Sequence, residues 1–445
     1  MRVLKIIFIV VLSAAIVVPV VTMNHQKDCI SEINNAMLTE LDIENLSPHN
    51  INLYLADRIG FHDEWIHANM ILHDRIFGEL DHPIYTYGKD GYIFFDMKDN
   101  QPDTAFIDAF CKHMRKVQDY CEARAVPFIY CLNASKATVY SQYLPEGYIY
   151  NNHFLEVFTR KLNEYGIHYI SNVELMIEKA KTQQVYNRQY DAGHWNDWGQ
   201  FYGNNHLLEK VSEYFSDVKP WSLSDFSITT KTETVLPVSD FKINDEVEYF
   251  TAVHNGDVET TTAEYEGIYL DPRHCKFESF RKNSGNTGNL PRVLFLHGSY
   301  YERNREFYSG AFSETYAVHN YQNLIDFEYY FNIFQPECVL LETTEYATGR
   351  DFFDYDRMVS KEFNPPFSEA VKTPHVEMAL GSLNISTEEY PRICKISFEN
   401  DGSYSYGYLK AGDRIFDLNV AGDQITCTFD KTYADLTDAA VYLFQ

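Results

Sequence analysis

Two short stretches carry side chains that together could run a nucleophilic acyl transfer. The first reads Tyr190-Asp191-Ala192-Gly193-His194-Trp195-Asn196-Asp197-Trp198-Gly199. A carboxylate three residues before an imidazole can bond to it, fix its tautomer and stabilise the imidazolium, as a general base requires. The second reads Arg292-Val293-Leu294-Phe295-Leu296-His297-Gly298-Ser299-Tyr300. An apolar strand that empties into Gly-Ser and then a helix exposes a hydroxyl at the strand's carboxyl end, with backbone N–H groups nearby for an oxyanion. Each pattern alone is weak: D-x-x-H turns up in many loops, and Ser299 by itself reads first as an N-cap. Together they supply a nucleophile (Ser299), a base (His194) and an orienter (Asp191).

Other residues could serve the same site. Asn133 closes the strand Pro127-Phe128-Ile129-Tyr130-Cys131-Leu132 and could donate to an oxyanion, or cap a turn. Lys136 could contact an acidic sugar or cap a loop, and Tyr300, beside the serine, is a further candidate substrate contact. Trp195 reads as core packing ahead of a sugar platform, and His297 as a satisfied structural histidine. Glu342 and Glu345 follow the strand Cys338-Val339-Leu340-Leu341, where sites gather, although two acids there are common by chance.

These residues need a scaffold, and the hydropathy pattern describes one. Helical apolar spacing covers 50–80, and a hairpin follows at 84–95 around Lys89-Asp90-Gly91. Short continuous apolar strands at 127–132, 167–170, 292–296 and 338–341 alternate with helices at 104–125, 154–165, 173–181, from Asn196 to residue 212, and around 302–312. That pattern predicts an α/β fold with a parallel sheet covered on both faces. A polar, Thr- and Glu-rich stretch at about 225–289 predicts a β-rich insertion at the sheet edge. From 373 to 445 alternation with turns every 8–12 residues predicts an antiparallel β-sandwich.

The 445 residues suffice for one large domain (50–370) and a smaller one. With 37 basic and 64 acidic residues the net charge is −27, which repels phosphate backbones and argues against nucleic-acid binding. Eight cysteines form no CxxC pair and no metal-spaced cluster, so neither a zinc site nor another cofactor is expected. Cys131 and Cys338 read as buried thiols, and Cys394 and Cys427 could pair. At the N-terminus Arg2 and Lys5 precede an apolar run over 6–21 with no small-x-small cleavage site. Residues 1–23 therefore read as an uncleaved signal anchor ahead of a cleaved signal, with 24–49 as a stalk and the remaining chain outside the cytoplasm.

Several separated motifs over 52–350 resemble, in order, the SGNH-hydrolase-like proteins of the AlgX/AlgJ alginate O-acetylation group and their DHHW relatives. Tyr54 through Asp57-Arg58, Phe61, His62 and Asp63 is similar to the group's Y-x-x-D-R-x-x-F-R-D helix. Gly88-Lys89-Asp90-Gly91-Tyr92-Ile93-Phe94 is similar to its GKDGWLF hairpin, and Lys136 through Tyr140 and Leu144-Pro145 to its K-x-x-x-Y…LP loop. Asp191…His194-Trp195-Asn196 resembles D-x-HWN, and His297-Gly298-Ser299-Tyr300 resembles GDS[FY]. The resemblance implies Ser299 as the acyl-accepting nucleophile with His194 and Asp191, an extracytoplasmic polysaccharide acceptor, and a membrane acyltransferase that supplies acetyl groups. Three positions depart from it: Ala192 stands where the group has Asp, His-Gly where it has Gly-Asp, and His62 where it has Arg. An acetylesterase and an inactive glycan-binding or assembly protein are the alternative readings.

Overall fold

A computed structural model of the chain describes residues 2–445 other than 28, 32, 34–35, 42–45, 96–100, 238–240, 254–256 and 284–286. Helix α1 (Arg2–Val21) is long and apolar enough to cross a membrane. Its end meets the corner between α2 (Pro48–Arg58) and α3 (His62–Phe77). There Gly60 N–H donates to the Pro19 carbonyl at 2.8 Å. Any side chain at residue 60 would overlap Thr22, so only glycine fits this approach. The single helical pattern expected over 50–80 is broken at Phe61, which takes φ 63. The described part of the expected stalk is no free-standing tether. Arg58, 2% exposed, donates to the carbonyls of Asn24, Gln26, Leu38 and Thr39 and ties that segment to α2. The rest of the stalk, 42–45 included, lies outside the described residues.

Next come the hairpin strands β1 (Tyr85–Tyr87) and β2 (Ile93–Phe95), turned by Asp90 and Gly91 at φ 53 and 75 as the Asp-Gly pair requires. Helix α4 (Thr104–Glu122) is capped by Asp103, whose carboxylate accepts from Phe106 N–H at 2.9 Å. Strand β3 (Phe128–Asn133), helix α5 (His153–Glu164) and strand β4 (Tyr169–Ser171) follow. Helix α6 (Asp197–Ser212) is capped by Asn196. A separate two-stranded ribbon, β5 (Phe226–Val235) and β6 (Lys242–Ala252), packs on α6. Then come β7 (Val258–Thr260), β8 (Phe277–Lys282), β9 (Arg292–His297), β10 (Glu314–His319), helix α7 (Phe327–Phe334) and β11 (Cys338–Thr344).

The main sheet runs β4-β3-β11-β9-β10-β8-β7. Its first five strands are parallel. Strands β8 and β7 join antiparallel at the edge, so the sheet is mixed and the expected insertion divides into these edge strands and the separate ribbon. Alternate residues of the central strands face opposite cores. Leu294, Leu296, Val339 and Leu341 pack with α4, α5 and α7, whereas Val293, Phe295, Cys338 and Leu340 pack on the side of α6. Both faces are covered, which is why these strands read as unbroken apolar runs. Each fully buried Val, Leu or Phe contributes about 1.5–3 kcal/mol.

The C-terminal strands β12 (Val376–Ala379), β13 (Ser386–Glu389), β14 (Ile393–Glu399), β15 (Tyr406–Ala411), β16 (Arg414–Ala421), β17 (Gln424–Asp430) and β18 (Ala440–Phe444) are antiparallel. They form one sheet in the order β12-β18-β15-β16-β17-β14-β13, curled around its own core, and not the two facing sheets of a sandwich. Strand β16 is the hinge of the curl, pairing with β15 along one half and β17 along the other. Cys394 lies opposite Phe429 and Cys427 opposite Ile396, and both thiols are free. The sheet docks through Asn332 of α7, whose amide bonds the backbone of Asp417 and Thr428.

Candidate active site

The carboxyl ends of β3, β9, β10 and β11 meet beside one cleft of about 820 Å³. Ser299 follows β9 by two residues and opens a one-turn 3-10 helix, Ser299–Tyr301. The first N–H groups of such a turn have no intrahelical acceptor. Ser299 Oγ lies 3.0 Å from His194 Nε2, and His194 Nδ1 lies 2.6 Å from Asp191 Oδ1. With the proton on Nδ1, the imidazole donates to Asp191 and leaves Nε2 free to accept from the serine. Burial pulls His194 below the usual imidazole range, to about 4, against the opposing charges of Glu302 and Glu342. At neutral pH it is uncharged, the state in which an imidazole can accept a proton.

The loop that carries Asp191 and His194 is fastened at several points. Asp191 itself takes φ 49, a conformation that costs a non-glycine residue about a kcal/mol or more. The buried Asp245 carboxylate of β6 accepts from the backbone N–H groups of Gln189 and Tyr190 at 2.7 and 2.9 Å. Asp197 and Glu248 make a second pair of links between α6 and β6, through Phe250 N–H and the Trp198 indole. Trp195, 1% exposed, donates its indole N–H to the Tyr300 carbonyl at 2.9 Å, tying base loop to nucleophile turn. Arg303, four residues after the serine, ion-pairs with the second oxygen of Asp191. Nothing in the sequence pattern singled Arg303 out. Its signal was only a cation one helical turn beyond the serine.

Glu342 answers how the turn forms with Gly298 before the serine. Its buried carboxylate accepts from Gly298 N–H at 2.8 Å, Asn133 Nδ2 at 2.9 Å and Thr344 Oγ1 at 3.1 Å. A Cβ at residue 298 would stand 3.4 Å from the carboxylate oxygen that accepts from Gly298, an ordinary contact distance, so the acid of β11 lies directly against the glycine. Burial pushes this carboxyl above its usual range, and its hydrogen bonds pull the other way.

The remaining candidates sit differently from the roles read for them. Asn133 is fully buried under the turn, its amide N–H on Glu342 and its carbonyl oxygen taking Asn172 Nδ2 at 2.7 Å. It braces the site from below and does not line the cleft. Lys136, 3% exposed, donates to the carbonyls of Ile93 and Arg188 at 2.6 and 3.1 Å. It joins the β1–β2 hairpin to the loop of Asp191 and His194 and is not among the described residues lining this cleft; desolvation lowers its ammonium to about 7. Tyr300 is 1% exposed, with its hydroxyl on the Ala134 carbonyl at 3.2 Å, and it faces the core. His297 is buried, its Nδ1 on the Gly298 carbonyl at 2.9 Å. Glu345 accepts from Ser135 N–H at 2.7 Å and from the Thr138 hydroxyl on the cleft's other side.

No protein-family model matches the sequence, and no curated protein matches it. Solved structures do. Bacillus cereus PatB1 is 16% identical with a TM-score of 0.47, over 59% of this chain and 97% of that one. The O-acetyltransferase domain of Pseudomonas putida AlgJ is 16% identical with a TM-score of 0.43, over 63% and 100%. A DHHW family protein from Eubacterium siraeum is 15% identical with a TM-score of 0.42, over 64% and 100%. The solved structures to which this chain is similar thus include members of the AlgJ and DHHW group that its motifs resemble.

Proposed function

We propose that the chain is an extracytoplasmic SGNH-type acyltransferase that places O-acetyl groups on a cell-envelope polysaccharide. The observation that carries this reading is the unbroken relay Ser299 Oγ–His194 Nε2 and His194 Nδ1–Asp191 Oδ1, 3.0 and 2.6 Å, opening on a cleft. Ser299 Oγ attacks the acetyl carbonyl of a donor and its proton passes to His194 Nε2. The imidazolium, steadied by Asp191, returns that proton to the leaving group, and acetyl-serine remains. A sugar hydroxyl then attacks the ester, gives its proton to His194, and the expelled Ser299 oxygen takes it back. The Asp191–Arg303 pair holds the carboxylate in place through both halves. Helix α1 is proposed as the anchor, and a membrane acyltransferase as the source of acetyl groups.

The test is acetate release from p-nitrophenyl acetate by the full chain in detergent, with mass spectrometry of the serine peptide. The native chain is expected to release acetate and to carry acetyl on Ser299, and Ser299→Ala to do neither. Equal rates for the two would leave the inactive, glycan-binding reading. Adding oligosaccharide acceptors separates transfer from hydrolysis.

A further inference from the structure

Beside Ser299 the cleft has a wall that the relay does not use. Tyr321 follows β10 at φ 53 and ψ −116, a strained conformation for a non-glycine residue. That backbone holds its hydroxyl 3.6 Å from the point where a Cβ on residue 298 would stand, directly before the nucleophile. The rings of His274 and His319 stack at 5.0 Å and 9°, and both meet the Tyr321 ring edge-on, at 4.7 and 4.6 Å. His319 Nε2 is 3.4 Å from Glu302 Oε1, while His319 Nδ1 and Asn320 Oδ1 are buried without a hydrogen-bond partner. Buried polar atoms are rarely left so, and they lie behind a wall whose cleft-facing members are His274, His319 and Tyr321, beside Ser299.

The charges around the wall define what it can take. Among the described cleft residues there are four carboxylates, on Asp103, Glu302, Glu345 and Asp351, and two cations, on Arg273 and Lys276. Both cations are occupied: Arg273 binds Asp271 through two nitrogens at 2.9 Å, and Lys276 binds Glu302 at 2.5 Å. Desolvation keeps the two histidines uncharged, His274 at about 4 and His319 well below the usual range. The chain as a whole carries −27. Asp103 is likewise paired, with Arg350, so the lining keeps an excess of carboxylates over cations that disfavours a polyanion, whereas sugar hydroxyls match imidazole and phenol as partners. Tyr148, Tyr150 and Tyr346 also line the cleft and add aromatic surface of the kind sugars pack on.

We propose that the wall of His274, His319 and Tyr321 is the acceptor subsite and that it is built for an uncharged, hydroxyl-bearing sugar and not for a polyuronate or phosphate-bearing polymer. The proposal rests on the acyl-transfer reading above and names its acceptor class. It is tested on the full chain in detergent with p-nitrophenyl acetate as donor. The acceptors are neutral β-glucan, mannan and N-acetylglucosamine oligomers, set against polyuronate oligomers of the same length. At least one neutral class is expected to take acetyl with a KM lower than the uronates by about ten-fold, the scale of one or two misplaced hydrogen bonds. Tyr321→Phe and His274→Ala are expected to raise the acceptor KM and lower acetyl transferred per acetate hydrolysed. Thermal melts check that both variants fold. Uronates as the better acceptors, no acceptor of either class, or an unaltered transfer-to-hydrolysis ratio in folded Tyr321→Phe would each overturn the subsite. Loss of the Ser299 dependence would instead overturn the chemistry beneath it.

Discussion

Replacing Gly203 by alanine should destabilise the protein, although alanine in a helix interior normally gains about 1 kcal/mol over glycine. Gly203 lies buried in α6 with Trp195 against its backbone. A Cβ there would stand 2.6 Å from Trp195 Cη2 and nearer still to Cζ3, where ordinary carbon contact is about 3.5–4.0 Å. The indole has little room to retreat. It is 1% exposed, it packs on the rings of Tyr300 and Tyr301 at 5.2 and 5.3 Å, and Gly199 closes on its Cβ. Overpacking of this kind costs about 1–3 kcal/mol. Loosening the buried indole bond to the Tyr300 carbonyl adds about 1 kcal/mol, so the net loss is about 1–3 kcal/mol after the helix gain. The displaced carbonyl belongs to the residue after Ser299, so kcat should fall with stability. Urea unfolding of the full chain and acetate release read the two effects. Trp195→Phe removes Cζ3 and Cη2, and in that background Gly203→Ala should be neutral or favourable. A higher urea midpoint for Gly203→Ala in the native background, or the same cost in both, would refute the steric account.

Two further outcomes follow from the same geometry. Glu342→Gln turns an amide N–H toward Gly298 N–H or Asn133 Nδ2, both donors, and should cost about 1–3 kcal/mol and lower kcat about ten-fold or more; an unchanged melt and kcat would remove Glu342 from the turn. In acid, kcat/KM should fall with a midpoint near 4, where His194 takes a proton, and not near 6.5. The histidine contribution to stability should fall over a higher window, from about 6.5 down to about 4, opposed by Asp197 and Glu328, whose burial holds their carboxyls at about 6 and about 7. His113, His194 and His274 are held uncharged at about 4 when folded and charge near 6.5 when unfolded, so the unfolded chain gains protons first as pH drops. His113→Gln should flatten this fall, and urea midpoints that drop equally in it and in the native chain between pH 6.5 and 4.5 would contradict the His113 shift.

The sequence exposed the scaffold where pattern and physics coincide. Unbroken apolar strands announced a sheet covered on both faces, and the Asp-Gly pair its hairpin turn. It was less informative where one pattern serves two structures. Alternation at 373–445 buries one face equally in a sandwich and in a single curled sheet, so the strand β16 shared by both halves was invisible. Lys136 and Asn133 could be read as substrate or oxyanion contacts or as loop and turn caps, because polar residues near a strand's end usually meet solvent. Instead both are buried, satisfied by carbonyls, Glu342 and Asn172 brought in from distant segments. Glu342 was discounted because acids after a strand are common, and Arg303 resembled any surface cation. Their roles depend on contacts 44 and 112 residues away along the chain.

The ribbon β5–β6 lies outside the main sheet, yet Asp245, Glu248 and the backbone of Phe250 hold the segment that carries His194, the proposed proton acceptor. These anchors bracket His194 on both sides, at Gln189 and Tyr190 before it and at Asp197 and Trp198 after it. A change in this ribbon would therefore reach the imidazole through its backbone anchors, with no substitution at Ser299, His194 or Asp191.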